Sequence, residues 1–159
     1  MLYDHLADRW FMSQFALPNY PSGPFYQCIA VSTSGNPMGS YNRYQFQVSA
    51  TKLNDYPKFG VWPDGYYMAV NQFTCSALGC SWAGQGVAVF EREQMLAGGS
   101  ARMLYQDLFT TDPNLGGMLP STLDGLAPPA GTPNYFVQFD DDAWGYSPDQ
   151  LQIWEASVT

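Results

Sequence analysis

Short apolar runs, separated by turn-forming residues, recur along the whole chain. In residues 43–48, Tyr44, Phe46 and Val48 alternate with polar residues, as expected for a strand with one buried face. Similar apolar segments occupy residues 28–31, 87–90 and 151–154. Only residues 91–98 have the composition of a helical turn, ended by Gly98. The pattern therefore predicts an all-β chain.

An aromatic segment that follows a turn occurs three times. It is Asp-Arg-Trp-Phe-Met at residues 8–12, Asp-Gly-Tyr-Tyr-Met at residues 64–68 and, more weakly, Pro-Asn-Tyr-Phe-Val at residues 133–137. A repeat of about 50 to 70 residues that is filled with short strands is typical of β-propellers, in which each repeat is one small sheet. We predict a single domain over residues 1–159, a β-propeller fragment of about three four-stranded blades with the last blade incomplete. The units span about residues 2–50, 55–110 and 118–159.

Composition excludes several classes of function. The net charge is −8, with 11 Asp, 3 Glu and only six Lys and Arg in total. Phosphate recognition needs clustered basic residues, so the sequence predicts no nucleic-acid partner. No apolar run reaches the roughly 18 residues of a membrane-spanning helix, so no membrane insertion is expected.

The cysteines and the amino-terminal residues bear on whether the protein is exported. Cys75 and Cys80 enclose a short Ser/Gly-rich segment, predicted as a loop, and they form a disulfide if the protein is exported. Cys28 lies in an apolar run and is expected to be a small buried hydrophobe. The first residues already belong to the repeat, so we expect no signal peptide in this chain and a larger parent protein.

Four segments carry a resemblance to a known group. They are residues 3–10, 55–67, 95–98 and 119–125. Taken together, they resemble a repeat region of large secreted bacterial multidomain proteins, which are often joined to adhesion-type modules. The resemblance implies an extracellular or cell-surface propeller-like region and no particular reaction. Residues 64–67 are also similar, over a short stretch, to five-bladed glycoside-hydrolase propellers.

Four aspartates form the first set of candidate catalytic residues. Asp4, Asp8, Asp64 and Asp124 lie in or beside predicted turns at the ends of inner strands. Two carboxyl groups that meet in the central cavity of a propeller have the chemistry for glycoside hydrolysis. The alternative is that Asp8, Asp64 and Asp124 are turn residues, since Asp-Gly is a strong hairpin signal.

A calcium site is a second hypothesis. Residues 140–142 are three consecutive Asp, and Asp64, Asn71 and Asp124 are possible ligands if they point inward. Hard carboxylate and amide oxygens suit Ca²⁺, which would make it the cofactor of a lactonase-like or phosphotriesterase-like hydrolase. The alternative is a solvated acidic loop.

Two further hypotheses concern nucleophiles and sugars. His5 and Cys28 are the residue types of a Cys/His pair, although no nucleophile elbow accompanies them. Aromatic rings stack on sugars, and the sequence contains five Trp and 11 Tyr. The aromatic residues predicted in or beside loops are Trp62, Trp82, Trp144, Tyr20 and Tyr146. The alternative for these residues is packing between blades.

An incomplete ring of blades leaves two sheet faces uncovered, with more apolar area than a soluble monomer carries. We therefore expect a homo-oligomer, a dimer that completes a six-unit ring or exchanges a terminal strand. The function favoured by the sequence is an exported, self-assembling propeller fragment that binds a surface ligand such as a carbohydrate. The alternative is a hydrolase with Asp carboxylates in the central cavity.

Overall fold

The structure, a computed structural model, describes residues 1–144 and 147–158, with Trp144 described by its backbone alone. Within these residues the chain forms three antiparallel sheets, which confirms the all-β prediction. The first sheet has the order β1-β2-β3-β4, with strands Leu2–Asp4, Arg9–Ala16, Phe25–Ser32 and Tyr41–Ser49. The second has the order β5-β6-β7-β8, with strands Lys52–Val61, Tyr66–Ser76, Gly79–Phe90 and Met103–Asp107. The third has the order β11-β10-β9, with strands Leu119–Pro120 (β9), Asn134–Asp140 (β10) and Gln150–Ala156 (β11).

Helix α1, Arg92–Ala97, connects β7 to β8 as the sequence predicts. It ends at Gly98, which has the left-handed conformation (φ 72°) that glycine adopts without strain. A short 3-10 helix, Asp142–Trp144, connects β10 to β11. In the described part of the chain, no helix is both long and apolar enough to cross a bilayer.

The second sheet lies between the other two. Its β6 is buried without interruption from Tyr66 to Val70, because alternate side chains enter two different cores. One core joins it to the first sheet, and its buried members are Phe11, Ile29, Val31, Val48, Val61, Tyr66, Met68, Val70, Ala88, Phe90 and Met95. The other joins it to the third sheet, and its buried members are Trp62, Tyr67, Ala69, Leu115, Met118 and Phe136.

An aromatic contact is repeated at both junctions. Phe11 of the first sheet packs on Tyr66 of the second, with ring centroids 4.8 Å apart. Tyr67, the next residue, packs on Phe136 of the third sheet at 6.2 Å. Tyr66 and Phe136 are therefore equivalent, because each ring contacts the sheet that precedes its own. The sequence repeat instead aligns Phe136 with Tyr67. The predicted third repeat was wrong by one residue, and one residue changes the face of a strand.

Two strand boundaries also differ from the sequence prediction. Strand β5 begins at Lys52, seven residues before the predicted Phe59, because a bulge between Asp55 and Lys58 lets the ladder continue past a proline. The predicted cysteine loop is a hairpin, since β6 and β7 pair as far as Ser76 and Gly79. Its tip is a two-residue turn, and exposed polar strands of this kind lack the apolar alternation that identifies a strand.

A buried glutamine at each junction holds the start of the next sheet. Gln27 accepts a hydrogen bond from Asn54 Nδ2 (3.0 Å) at the beginning of β5. At the equivalent position of β7, Gln85 accepts one from the Met118 amide (3.2 Å), just before β9. The side-chain amide of Gln85 also donates to the carbonyl of Val70 at 2.8 Å. These contacts fix where each sheet starts relative to the one before it.

Replacing Gln85 with leucine should lower the free energy of unfolding by about 2–3 kcal/mol, because a buried amide and a buried carbonyl lose their partner. The same change at Gln45, which is exposed on β4, should cost less than about 0.5 kcal/mol. Urea denaturation of both variants measures the difference. Equal stabilities would contradict the anchoring role of Gln85.

Candidate functional site

Three turns meet at one end of the inner strands. The imidazole Nε2 of His5, in the β1–β2 turn, lies 2.7 Å from the carbonyl oxygen of Gly125, in the β9–β10 connection. The amide of Leu123 in that connection donates to the carbonyl of Val61, at the end of β5, at 2.9 Å. The residues next to these contacts include Asp4, Asp64 and Asp124. Asp8 ends the same β1–β2 turn that contains His5, so the structure brings all four catalytic candidates to the same end of the molecule.

Asp4 is the most buried of these carboxylates, with no exposed surface. Arg92 of α1 binds it with two hydrogen bonds, Nε to Oδ2 at 2.7 Å and Nη2 to Oδ1 at 3.1 Å. The hydroxyl of Tyr66 donates to Oδ2 at 2.8 Å, and the Ala7 amide donates to Oδ1 at 3.2 Å. Both oxygens therefore have partners within the protein, which makes Asp4 an ionic connection between the first and second sheets.

The surroundings of this ion pair also change the acidity of Tyr66. Burial is the main cause that raises the pKa of its hydroxyl above the ordinary value of 10.0, and the neighbouring Asp4 charge raises it further. The pKa of Tyr67 is raised in the same way, by burial first and then by Asp64. Both hydroxyls therefore remain protonated hydrogen-bond donors at neutral pH.

The other three candidates are exposed turn residues. Asp64 accepts hydrogen bonds from the Tyr67 hydroxyl at 3.1 and 3.2 Å. Asp8 accepts one from the Tyr3 hydroxyl and has φ 55°, in the left-handed region that Asp tolerates better than most residues. Asp124 lies in the exposed part of the β9–β10 connection. These positions correspond to the turn interpretation given above.

The structure does not bring the three metal candidates together. Asn71 lies five residues beyond the start of β6, about 16 Å from the turn that contains Asp64. Its Oδ1 accepts a hydrogen bond from the Gly117 amide at 2.9 Å, so it holds the connection to the third sheet. The expectation that Asn71 shares an ion with Asp64 and Asp124 is therefore corrected.

One group of carboxylates has the spacing of metal ligands among the described residues. Asp141, Asp142 and Asp149 each offer an oxygen, and these oxygens lie within 4.8 Å of one another. The group overlaps the predicted acidic run, but Asp140 is buried and accepts a hydrogen bond from Gln138 Nε2 instead. Sequence reasoning missed Asp149, which the return of the chain into β11 brings back to the run.

The aromatic candidates have different environments. Trp62 lies directly after β5, beside the turn, but it is buried and its indole Nε1 donates to the carbonyl of Thr132 at 2.9 Å, which corresponds to the packing alternative. Trp82 is 41% exposed, and its Nε1 donates to the carbonyl of Pro113 at 2.8 Å. Tyr20 is exposed, with its hydroxyl 3.6 Å from Cys80 Sγ. The structure does not describe the side chain of Trp144, and Tyr146 lies outside the described residues.

The cysteines take two different roles. Cys75 and Cys80 are directly paired across β6 and β7 and form a disulfide that clamps the hairpin. Cys28 is unpaired and half-buried on the free face of the first sheet, which corrects the expected full burial. It lies four residues from the end of β3, about 13 Å along the strand, so it does not reach the His5 turn.

Comparisons of the chain with protein-family models, with curated proteins and with solved structures found no match in any of the three.

Replacing Asp4 with asparagine should lower the free energy of unfolding by about 3–5 kcal/mol, because Arg92 would lose its buried counter-charge and keep only the exposed Glu93 carboxylate. Asp124→Asn is the matched control, since that carboxylate is exposed, and it should change stability by less than about 0.5 kcal/mol. Chemical denaturation followed by circular dichroism gives both values. If the two variants were equally stable, the ion pair would not hold the sheets together.

Proposed function

We propose that this chain is an exported assembly module of the β-propeller type, in which sheets stack face to face and the free face of the third sheet docks a further sheet. The disulfide of the hairpin supports export, because such bonds persist mainly in oxidising compartments. A hydrolase is supported less well, because Asp4 is fully engaged by Arg92 and Tyr66.

The observation that carries this proposal is an apolar face on the third sheet. Val137 of β10 pairs with Leu119 on one side and with Ile153 on the other, and Phe139 pairs with Leu151. Direct partners share a face, so these five side chains form one surface. Leu119 and Phe139 are 50% exposed, Ile153 is 66% exposed and Leu151 is 68% exposed. Isolated exposed apolar residues are ordinary, but a contiguous patch indicates an interaction surface.

The side-chain pattern of β11 supports the same conclusion. Trp154 and Ala156 of this strand pack toward the second sheet. Leu151 and Ile153, on the opposite face, are apolar although that face is exposed. A sheet with one solvated face normally has polar residues there. In β11 the free face is instead apolar at Leu151 and Ile153 and becomes charged only at Glu155, near the end of the strand.

The free face of the first sheet offers a partner surface. Trp10 and Phe11 of β2 correspond to Tyr66 and Tyr67 of β6. Tyr66 and Phe136 each face the sheet that precedes their own, at the two existing junctions. Trp10 has the same position in the first sheet, where no preceding sheet covers it. Tyr3 lies beside it, with ring centroids 5.0 Å apart, and Met12 is on the same face two residues along the strand. Stacking the first sheet of a second copy on the third sheet would repeat the existing junction, and two copies would close a six-sheet ring.

In solution we expect the isolated chain to form a dimer of twice 17.7 kDa. The double variant Leu151→Lys/Ile153→Lys should weaken dimerisation by at least about a hundredfold, because each substitution brings an unpaired charge into the interface. Analytical ultracentrifugation over a concentration series measures this. Leu126→Lys, at a loop residue that is 96% exposed, is the control and should stay dimeric. A wild-type chain that remains monomeric at every concentration would refute the proposal.

A crosslinking experiment identifies which sheet faces are in contact in the dimer. In a Cys28→Ser background, Met12→Cys chains mixed with Phe139→Cys chains should form disulfide-linked pairs under mild oxidation. Mixtures with Leu126→Cys chains should not. Crosslinking of Phe139→Cys chains to one another alone would indicate a symmetric contact between third sheets instead of a ring.

Carbohydrate binding is a second candidate, favoured by exposed rings beside the disulfide hairpin. Trp82 and Tyr20 are 41% and 55% exposed, and Tyr20 lies against the disulfide through Cys80. Exposed aromatic faces on a clamped hairpin suit stacking on pyranose rings.

Titration with a panel of neutral oligosaccharides should change the tryptophan fluorescence of the wild-type chain. Trp82→Ala should weaken this binding by about tenfold or more, with loss of one stacking ring. Leu78→Ala, at the fully exposed tip of the same hairpin, is the control and should bind normally. A response that survives in Trp82→Ala would show that sugars bind elsewhere.

A further inference from the structure

The chain contains the dipeptide Asp-Gly twice, at residues 64–65 and 124–125, and the two copies have different surroundings. In such a pair the backbone nitrogen of the glycine can attack the side-chain carboxyl carbon of the aspartate, because glycine has no Cβ to hinder the approach. The new C–N bond closes a five-membered succinimide ring. One carboxyl oxygen leaves as water, together with the amide hydrogen and a proton.

The first copy is held in a closed turn. The Gly65 amide donates to the carbonyl of Trp62 at 3.4 Å, and the Trp62 amide donates to the carbonyl of Gly65 at 3.0 Å. The Tyr67 hydroxyl donates to the Asp64 carboxylate, 3.2 Å from Oδ1 and 3.1 Å from Oδ2. Gly65 is buried, and a Cβ on it would lie only 2.5 Å from Val89 Cγ2. Ring closure at this copy therefore requires that the turn first opens.

The second copy is open. Asp124 and Gly125 are both exposed, and a Cβ on Gly125 would meet nothing within 4 Å. Among the residues that the structure describes, neither the Asp124 carboxylate nor the Gly125 amide has a hydrogen-bond partner. Asp124 differs in this respect from Asp4, Asp8 and Asp64, whose carboxylates each accept a hydrogen bond from another side chain. No hydrogen bond of the two reacting groups has to break before the ring closes.

One contact joins this exposed dipeptide to the first sheet. The carbonyl oxygen of Gly125 lies 2.7 Å from Nε2 of His5, so the contact connects the β9–β10 segment to the β1–β2 turn. This carbonyl belongs to the same residue as the attacking nitrogen. A longer backbone between Asp124 and Gly125 would therefore displace the carbonyl oxygen from the imidazole.

We propose that Asp124 and Gly125 form a self-modification site, at which aspartate is converted to isoaspartate and the His5 contact is released. Water hydrolyses the succinimide at either of its two carbonyl carbons. Attack at the side-chain carbonyl restores aspartate, whereas attack at the backbone carbonyl leaves the chain linked through the side-chain carbon. The backbone then contains one additional methylene, and the former backbone carbonyl is a free carboxylate, so the net charge is unchanged. This inference does not depend on the assembly proposed above, because no sheet face takes part in it.

Incubation of the folded chain at neutral pH, in water enriched in heavy oxygen, tests the site. Each passage through the ring adds one heavy oxygen atom, and peptide mapping by mass spectrometry locates it. Incorporation should be at least about tenfold faster at Asp124 than at Asp64, because the closed turn reacts only after local opening. In guanidinium chloride the two rates should become similar, since the dipeptide is the same at both places.

Asp124→Glu is the matched control, because it keeps the charge and the exposure but would need a less favourable six-membered ring. It should incorporate far less heavy oxygen at this position. His5 is the only histidine, so its imidazole gives one set of NMR signals. A second set should grow in proportion to isoaspartate in the wild type and stay absent in Asp124→Glu.

In the folded chain, equal incorporation at Asp124 and Asp64, or no incorporation at Asp124, would overturn the modification site. A histidine signal that stays unchanged while isoaspartate accumulates would overturn the release of the His5 contact.

Discussion

A sheet with apolar residues on both faces is stable in water only when both faces are covered, and this constraint organises the molecule. The centre of the second sheet satisfies it, because β6 is buried from Tyr66 to Val70 between two cores. At about 25 cal/mol for each Å² of apolar surface removed from water, such stacking supplies the main driving force for the fold. The third sheet also carries apolar residues on its free face, around Val137 and Ile153, but only its other face is covered. The properties of its free surfaces follow from this difference.

Apolar stacking alone does not decide which faces meet or in which register, since it has little directionality. Polar groups within the junctions supply that information. Asp4 binds Arg92 at the first junction, and the buried Asp4 charge would be left unpaired if the sheets slid by one strand position. Gln27 and Gln85 act similarly, because each accepts a hydrogen bond from a residue at the start of the next sheet. The repeated module is thus a sheet together with the polar contacts that position its successor.

The sequence predicted the local features of the fold better than its long-range contacts. Alternation identified β4, and the Gly98 signal identified the end of α1. The role of Asp4 could not be predicted, because its partner Arg92 lies 88 residues away in an unremarkable helical turn. The third repeat was misaligned because the long β9–β10 connection replaces a tight turn, which removes the marker that aligned the first two. The packing of Trp62 was unpredictable for a similar reason, since the Thr132 carbonyl that accepts its hydrogen bond is in that connection.

The third sheet presents two unsatisfied surfaces of different chemistry. Its free face is apolar around Val137 and Ile153. Apolar contacts are not directional, so the shape and the area of a partner decide whether it covers this face. The outer edge of β11 presents backbone hydrogen-bonding groups, which require an extended chain in a defined register. The face points away from the second sheet, whereas the groove of about 460 Å³ beside the edge, between β7, β8 and β11, opens toward it. Occupation of one surface therefore leaves the other accessible.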